Sequence, residues 1–87
     1  MSYTILYRPG VERDMSKLAK PVKKRVDAVI LDLGNNPRPH GCKKLTGYQN
    51  LYRIRVGDWR VVYEAMDARR EIEIQIVANR RDVYRRL

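Results

Sequence analysis

The sequence predicts an α+β fold: two N-terminal helices packed on a small, mainly antiparallel sheet, in the order strand, helix, helix, strand, strand, strand, short C-terminal tail. Three observations carry that expectation. Residues 51–63 alternate apolar and polar side chains on both sides of Gly57-Asp58, the mark of two half-buried strands joined by a two-residue hairpin loop. Residues 71–76 alternate again. Before residue 35 the apolar residues instead recur at helical spacing.

Residues 2–7, Ser-Tyr-Thr-Ile-Leu-Tyr, are rich in strand formers and read as the first strand. Pro9 stands where a helix can start, because its fixed φ suits the first turn. Val11, Met15 and Leu18 follow at helical spacing, with Glu12 and Asp14 in the first turn, giving a short helix ending near Ala19. Pro21 opens a second helix, with Val22, Val26, Val29, Ile30 and Leu33 as its buried stripe and Gly34 as C-cap. Lys20, Lys23, Lys24 and Arg25 gather near its start, as a solvated basic face or as a contact for a polyanion. Residues 35–47 contain Pro37, Pro39, Gly41 and Gly47 and form a loop. The hairpin follows, then a polar connection over 66–70, then a strand with Ile72, Ile74 and Ile76 inward. Residues 78–87 are a short basic tail leaving the sheet at its edge or end. The helices should cover the apolar sheet face and leave the other open. With 87 residues, one domain spanning 1–87 is expected.

The charge balance bears on partners. Lys and Arg number 19 against 10 acidic residues, a formal net charge of +9, which points to nucleic acid, an anionic membrane or an acidic protein. No apolar run reaches the length of a membrane span, and residues 1–7 lack the basic start and long apolar region of a signal peptide, so no membrane partner is expected. The single cysteine, Cys42, provides no disulfide framework and fits a reducing cytoplasm. His40, the only histidine, has no second His, Cys or carboxylate at ligand spacing, so neither a metal nor another cofactor is expected.

The hairpin places the chemistry. A two-residue loop sets Val56 opposite Trp59, Arg55 opposite Arg60, Ile54 opposite Val61 and Arg53 opposite Val62. Tyr52, Ile54, Val56, Trp59, Val61 and Tyr63 then share the core face, and Arg53, Arg55 and Arg60 share the other. Like charges directly opposite each other destabilise a sheet, so a cluster of three guanidinium groups suggests an anion to bind. Arginine suits phosphate, being always charged and able to bond bidentately. The rival account is a salt-bridged surface, with Glu64 and Glu73 on the same face as partners.

Lys-Leu-Thr-Gly near 43–47, Leu-Tyr-Arg-Ile-Arg, Trp-Arg-Val-Val-Tyr and the ending Asn-Arg-Arg-Asp-Val-Tyr together resemble the RelE/ParE family of type II toxins, over essentially the whole chain. The resemblance implies a RelE-like fold and a cognate acidic antitoxin in a toxin–antitoxin hetero-oligomer. Its RelE branch cuts mRNA in the ribosomal A site and inhibits translation, which implies mRNA on the ribosome as partner, contacts to 16S rRNA, and metal-independent endoribonuclease chemistry. The family's functional positions fall on Arg53, Arg55, Arg60, Arg80 and Tyr84 as catalytic residues, with Lys43, Lys44 and Arg81 as substrate-binding residues. Arg53 and Arg55 stand where relatives often carry lysine, Asn79 stands where many carry histidine, and the chain ends at Leu87 without a longer C-terminal helix. The first two departures leave the general base open, since arginine is a poorer proton acceptor than lysine.

In the implied reaction the ribose 2′-hydroxyl attacks the adjacent phosphate and expels the 5′-oxygen. Fixed cations stabilise charge on the equatorial oxygens, and Tyr84 stacks on a base or hydrogen-bonds the phosphate. Two other readings stand beside this one: a ParE-like toxin that inhibits gyrase without nuclease activity, and a non-catalytic basic module that binds RNA or protein.

Overall fold

Alternation builds the sheet, and a computed structural model describing residues 2–87 shows how far it runs. The elements are β1 (Thr4–Tyr7), α1 (Val11–Ser16), α2 (Lys20–Leu33), β2 (Lys43–Lys44), β3 (Leu51–Val56), β4 (Trp59–Met66) and β5 (Glu71–Asn79). Short 3-10 turns cover Asp67–Arg69 and Val83–Arg86. The five strands lie in the order β1-β5-β4-β3-β2. β1 runs parallel to β5 at one edge, and every other pairing is antiparallel. The hairpin has the register set by its two-residue loop: Val56 faces Trp59, Arg55 faces Arg60, Ile54 faces Val61 and Arg53 faces Val62. Gly57 turns the chain at φ +61, a conformation that glycine adopts without steric cost.

The helices cover one sheet face. Val26, Ile30 and Leu33 of α2 and Val11 and Met15 of α1 are buried against Val56, Val61, Tyr63, Ala65, Ile72 and Ile74. α1 is shorter than its apolar spacing predicts and stops at Ser16, because Ala19 must be extended (ψ 148°) to open α2. Gly34 is the C-cap of α2, as expected, in an ordinary right-handed conformation (φ −62°). Glycine serves there for space: a Cβ would lie 3.2 Å from the Leu31 carbonyl and 3.3 Å from that of Tyr3.

The other face is not open, contrary to expectation. A register shift between Val62 and Tyr63 lets β5 carry one extra residue, Gln75, between Ile74 (opposite Tyr63) and Ile76 (opposite Val62). Ile76 therefore turns away from Ile72 and Ile74, onto the arginine face. There it joins Leu45, Val62, Ala78 and Val83 in a second small core, with Leu51 and Leu87 packed against it. The basic tail thus folds over the sheet, with Val83 as its buried anchor.

Asp14 is a second anchor, buried at 5% exposure. β1 ends at Tyr7 opposite Ile74, leaving the farther edge of β5 without a strand partner. Asp14 Oδ2 accepts the Val77 N–H there at 3.1 Å, and its Oδ1 accepts Arg86 Nη1 at 2.9 Å. One carboxylate of α1 so ties the sheet to the tail.

The proline-rich loop is fixed from both sides. The buried Tyr63 hydroxyl donates to the Pro37 carbonyl at 2.6 Å, and burial pushes its pKa up. Arg38 forks onto Asp67 (Nη1 to Oδ1 3.2 Å, Nη2 to Oδ2 2.8 Å), while its Nε donates to the Tyr52 hydroxyl at 3.0 Å. Tyr3 donates to the same carboxylate at 2.8 Å. The hydrogen bonds from Arg38 and then Tyr3 hold the Asp67 carboxyl below its usual range. A carboxylate with a depressed folded pKa contributes stability that is complete above its unfolded value, about 4, and lost as pH falls through the lower folded value. Asp67→Asn is therefore expected to lower the melting temperature at pH 7 and to leave it less sensitive to acid between about pH 4 and 2 than the parent. Melts across that range check this; identical acid sensitivity in both proteins would remove Asp67 from the account.

Candidate active site

The hairpin and the tail bring the five predicted catalytic residues around Arg60, at one end of the sheet. Arg55 is exposed, directly opposite Arg60 across the strands. Arg60 Nη1 donates to the carbonyls of Gly57 at 3.0 Å and Trp59 at 2.9 Å, so the guanidinium is fixed beside its own turn. Burial first, then the charges of Arg55 and Arg53, push its pKa down, while Tyr84 works in the opposite direction. That tyrosine, the fifth predicted residue, is therefore close enough to be felt by Arg60.

Arg53 departs most from expectation. It does not look outward; only 7% of its surface is exposed, because the loop bearing β2 lies beside it. Its Nε is buried without a hydrogen-bond partner among the described residues. A buried polar group left without a partner is costly and rare in folded proteins. The salt-bridged alternative does not form: among the described residues no carboxylate lies within ion-pair distance of Arg53, Arg55 or Arg60. Glu64 and Glu73 do share that face, but they oppose each other on β4 and β5, away from the hairpin turn.

Arg80 reaches the hairpin turn through its backbone. Its N–H donates to the Asp58 carbonyl at 2.8 Å, and its exposed guanidinium stands 4.0 Å from the Asp58 carboxylate. Tyr84 is 57% exposed on the tail and borders a cleft of about 390 Å³ with Lys43, Lys44, Leu45, Tyr48 and Leu87.

The substrate-binding candidates separate. Lys43 pairs with Arg53 in register and so extends the arginine face by one strand. Lys44 pairs with Tyr52, out of phase with the arginines, yet still borders the Tyr84 cleft. The backbone N–H of Arg81 donates to the Asn79 side chain at 3.0 Å, and Arg81 lines a separate cleft with Asp58, Arg80, Asp82 and Arg85. Of the loop expected over residues 35–47 only Lys43 and Lys44 were expected to bind substrate, yet His40, Gly41 and Cys42 also line one cleft of about 430 Å³ with Lys43, Arg53 and Arg55. The readable signal was the Pro-x-Pro-x-Gly spacing, which marks a stiff loop.

A cluster of cations with no carboxylate partners at its centre among the described residues, and an exposed tyrosine at its rim, is an arrangement suited to phosphate and an unpaired base. The family described as "ParE toxin of type II toxin-antitoxin system, parDE" matches residues 3–84. The chain belongs to this RelE/ParE family of toxins. Toxin RelE of Mycobacterium tuberculosis is 31% identical over 84 residues, which cover 95% of this chain and 87% of that one. Toxin RelE3 of Methanocaldococcus jannaschii is 31% identical over 64 residues, covering 69% and 73%. Among solved structures, the archaeal RelE-RelB complex from Pyrococcus horikoshii contains a chain 28% identical, with a TM-score of 0.82 and coverage of 92% of this chain and 97% of that one. The α+β architecture is thus that of RelE/ParE toxins, with β1 at the parallel edge and the tail folded over the second face.

Proposed function

We propose that this chain is the toxin of a type II toxin–antitoxin pair and acts as a ribosome-dependent endoribonuclease, cutting mRNA in the A site by attack of the ribose 2′-hydroxyl on the adjacent phosphate. The observation that carries the reading is the group Arg53, Arg55 and Arg60, which share one face, lack carboxylate partners among the described residues and include a buried, unsatisfied Nε. Charge accumulates on the equatorial phosphate oxygens as the 2′-oxygen bonds to phosphorus, and preorganised cations stabilise that state more than the ground state. Arg53, Arg55 and Arg60 supply those cations, Arg80 stabilises the departing 5′-oxygen, and Tyr84 stacks on a base. Lys43 extends the phosphate track, and Lys44 and Arg81 serve more distant parts of the transcript or 16S rRNA. Action on the ribosome places the protein in the cytoplasm.

Several structural relatives are RelE chains solved with RelB antitoxin, which supports an antitoxin partner here. At +9, the fitting partner is an acidic segment covering the arginine face in a hetero-oligomer.

The test compares purified toxin on a naked transcript and on programmed ribosomes, mapping the breaks. Cleavage is expected on ribosomes and much less on naked RNA, because an exposed cationic face does not by itself hold a flexible transcript with its 2′-oxygen in line with the leaving group. The matching family is described as a ParE toxin, and the ParE-like alternative, inhibition of gyrase without nuclease activity, is kept as the second reading. A block confined to DNA synthesis, with transcripts intact on programmed ribosomes, would replace the ribonuclease reading with that one.

A further inference from the structure

The reaction above needs a group to accept the 2′-hydroxyl proton, and none of the five residues given catalytic roles above can be that group. Guanidinium groups are protonated throughout the accessible pH range and carry no acceptor, which removes Arg53, Arg55, Arg60 and Arg80 from that role. A tyrosine phenol ordinarily holds its proton to about pH 10, which removes Tyr84 at neutrality. Glu64 faces Leu51 and Glu73 rather than the arginines.

The loop before β2 brings a different kind of side chain to this cluster. His40 borders the cleft of about 430 Å³ that also contains Cys42, Lys43, Arg53 and Arg55. Arg53 and Arg55 belong both to this cleft and to the group surrounding Arg60. The cleft, which Ile54 also lines, therefore runs along the edge of β3 beside the phosphate face, and the guanidinium nitrogen of Arg53, partnerless among the described residues, leaves a cation there without an anion. Its titratable and charged groups are His40 and Cys42 from the loop, Lys43 from β2, and Arg53 and Arg55 from β3. Of these side-chain types, only histidine both titrates near neutrality and offers a ring nitrogen as acceptor when neutral.

The backbone that carries His40 is held in place, while its side chain is exposed. The Cys42 N–H donates to the Pro39 carbonyl at 3.0 Å, closing a β-turn with His40 at its second position. Gly41 takes the third position at φ +93°, the left-handed geometry glycine supplies there. On the N-terminal side the loop is tied down by Tyr63 to Pro37 and by Arg38 to Asp67 and Tyr52. On the C-terminal side it enters β2, paired to β3. A loop fixed this firmly and ending at a cationic cleft has the preorganisation that an acid–base group requires.

We propose that His40 is the general base of RNA cleavage by this toxin, an inference that rests on the ribonuclease reading above. The neutral imidazole takes the 2′-hydroxyl proton as the 2′-oxygen bonds to phosphorus. The bond from phosphorus to the 5′-oxygen breaks, and that oxygen, beside Arg80, takes a proton from water. The imidazolium returns its proton to solvent, leaving a 2′,3′-cyclic phosphate and a free 5′-hydroxyl, with no net gain or loss of protons.

The experiment is single-turnover cleavage of mRNA on programmed ribosomes from about pH 5.5 to 9, with parent, His40→Gln and His40→Gly. In the parent, the rate rises with pH as imidazole deprotonates and then levels. General-base groups commonly contribute about 10²- to 10⁴-fold, so both variants should lose at least about a hundredfold at pH 7 and lack that limb. Added imidazole should restore part of the rate to His40→Gly and none to the parent, a response that a purely structural role would not give. Thermal melts confirm folding, and rescue by imidazole can be read even from a variant that is partly unfolded. An active parent with unchanged rates and profile in both variants overturns the proposal and spares the ribonuclease reading. So does loss of the limb in Lys43→Gln with His40→Gln unaffected. An inactive parent on ribosomes overturns both.

Discussion

Arg60→Ala is expected to lower ribosome-dependent cleavage by about two to three orders of magnitude, the usual loss when one preorganised donor to a developing oxyanion is removed. The guanidinium earns this expectation from its surroundings. It is fixed by the carbonyls of Gly57 and Trp59, opposes Arg55 in register, and is depressed in pKa first by burial and then by Arg55 and Arg53. Its charged form is thus held at some cost in the free protein, and an anion relieves that cost. Stability should change little. The substitution removes two hydrogen bonds to backbone carbonyls, each contributing about 1 kcal/mol, and also removes a like-charge contact across the strands. A net change within about 1 kcal/mol follows. Arg60→Gln should behave alike, since the amide neither carries charge nor forks onto phosphate. Thermal melting and cleavage are measured on the same preparation. Full activity in either variant would remove the arginine face from the mechanism.

Asp14→Ala should produce the opposite pattern, a large loss of stability together with a loss of activity. The carboxylate is buried and accepts both the Val77 N–H and Arg86. Removing it leaves a buried backbone donor without a partner and frees the tail from α1. Loss of a charged hydrogen bond and an unsatisfied N–H together give about 2–3 kcal/mol, discounted because Arg86 is 43% exposed. Tyr84 and Arg80 are carried by the same tail, so cleavage should fall even at temperatures where the variant is fully folded. Asp14→Asn retains an acceptor for Val77 and should recover part of the stability. Denaturant unfolding and low-temperature cleavage decide the matter; an Asp14→Ala protein as stable as the parent would show that the tail is held by Val83 alone.

Much of the fold was legible because its signals are local. A two-residue loop and strict alternation determine the hairpin register pair by pair, and with it the core face from Tyr52 to Tyr63. The helices were readable from their apolar spacing. What was not legible depends on contacts between distant parts of the chain. β2 is two lysines without a strand signature and exists because β3 offers an edge. The parallel pairing of β1 with β5 joins segments more than sixty residues apart. Asp14 looks like an ordinary first-turn acid, and only the uncovered edge of β5 makes it a buried ligand of Val77. One miss had a visible signal: the run Ile76-Val77-Ala78 breaks the alternation of the preceding residues, which indicates burial on both faces. At the site, the shared face of Arg53, Arg55 and Arg60 follows from parity, but the burial of Arg53 between β2 and β4 and the place of His40 in the same cleft depend on how distant segments meet.

The bulge at Gln75 sets the phase of everything that follows it. Side chains in a strand obey a two-step count, so one additional residue reverses which side each later residue addresses. With that extra step, Ala78 faces Arg60 and the next residue of the same parity is Arg80. Without it, Asn79 would take that parity and Arg80 would be directed toward the helices. Deleting Gln75 would smooth the strand and still leave Arg80 on the arginine side, whereas ironing the bulge out at constant length would turn Arg80 away as surely as mutating it.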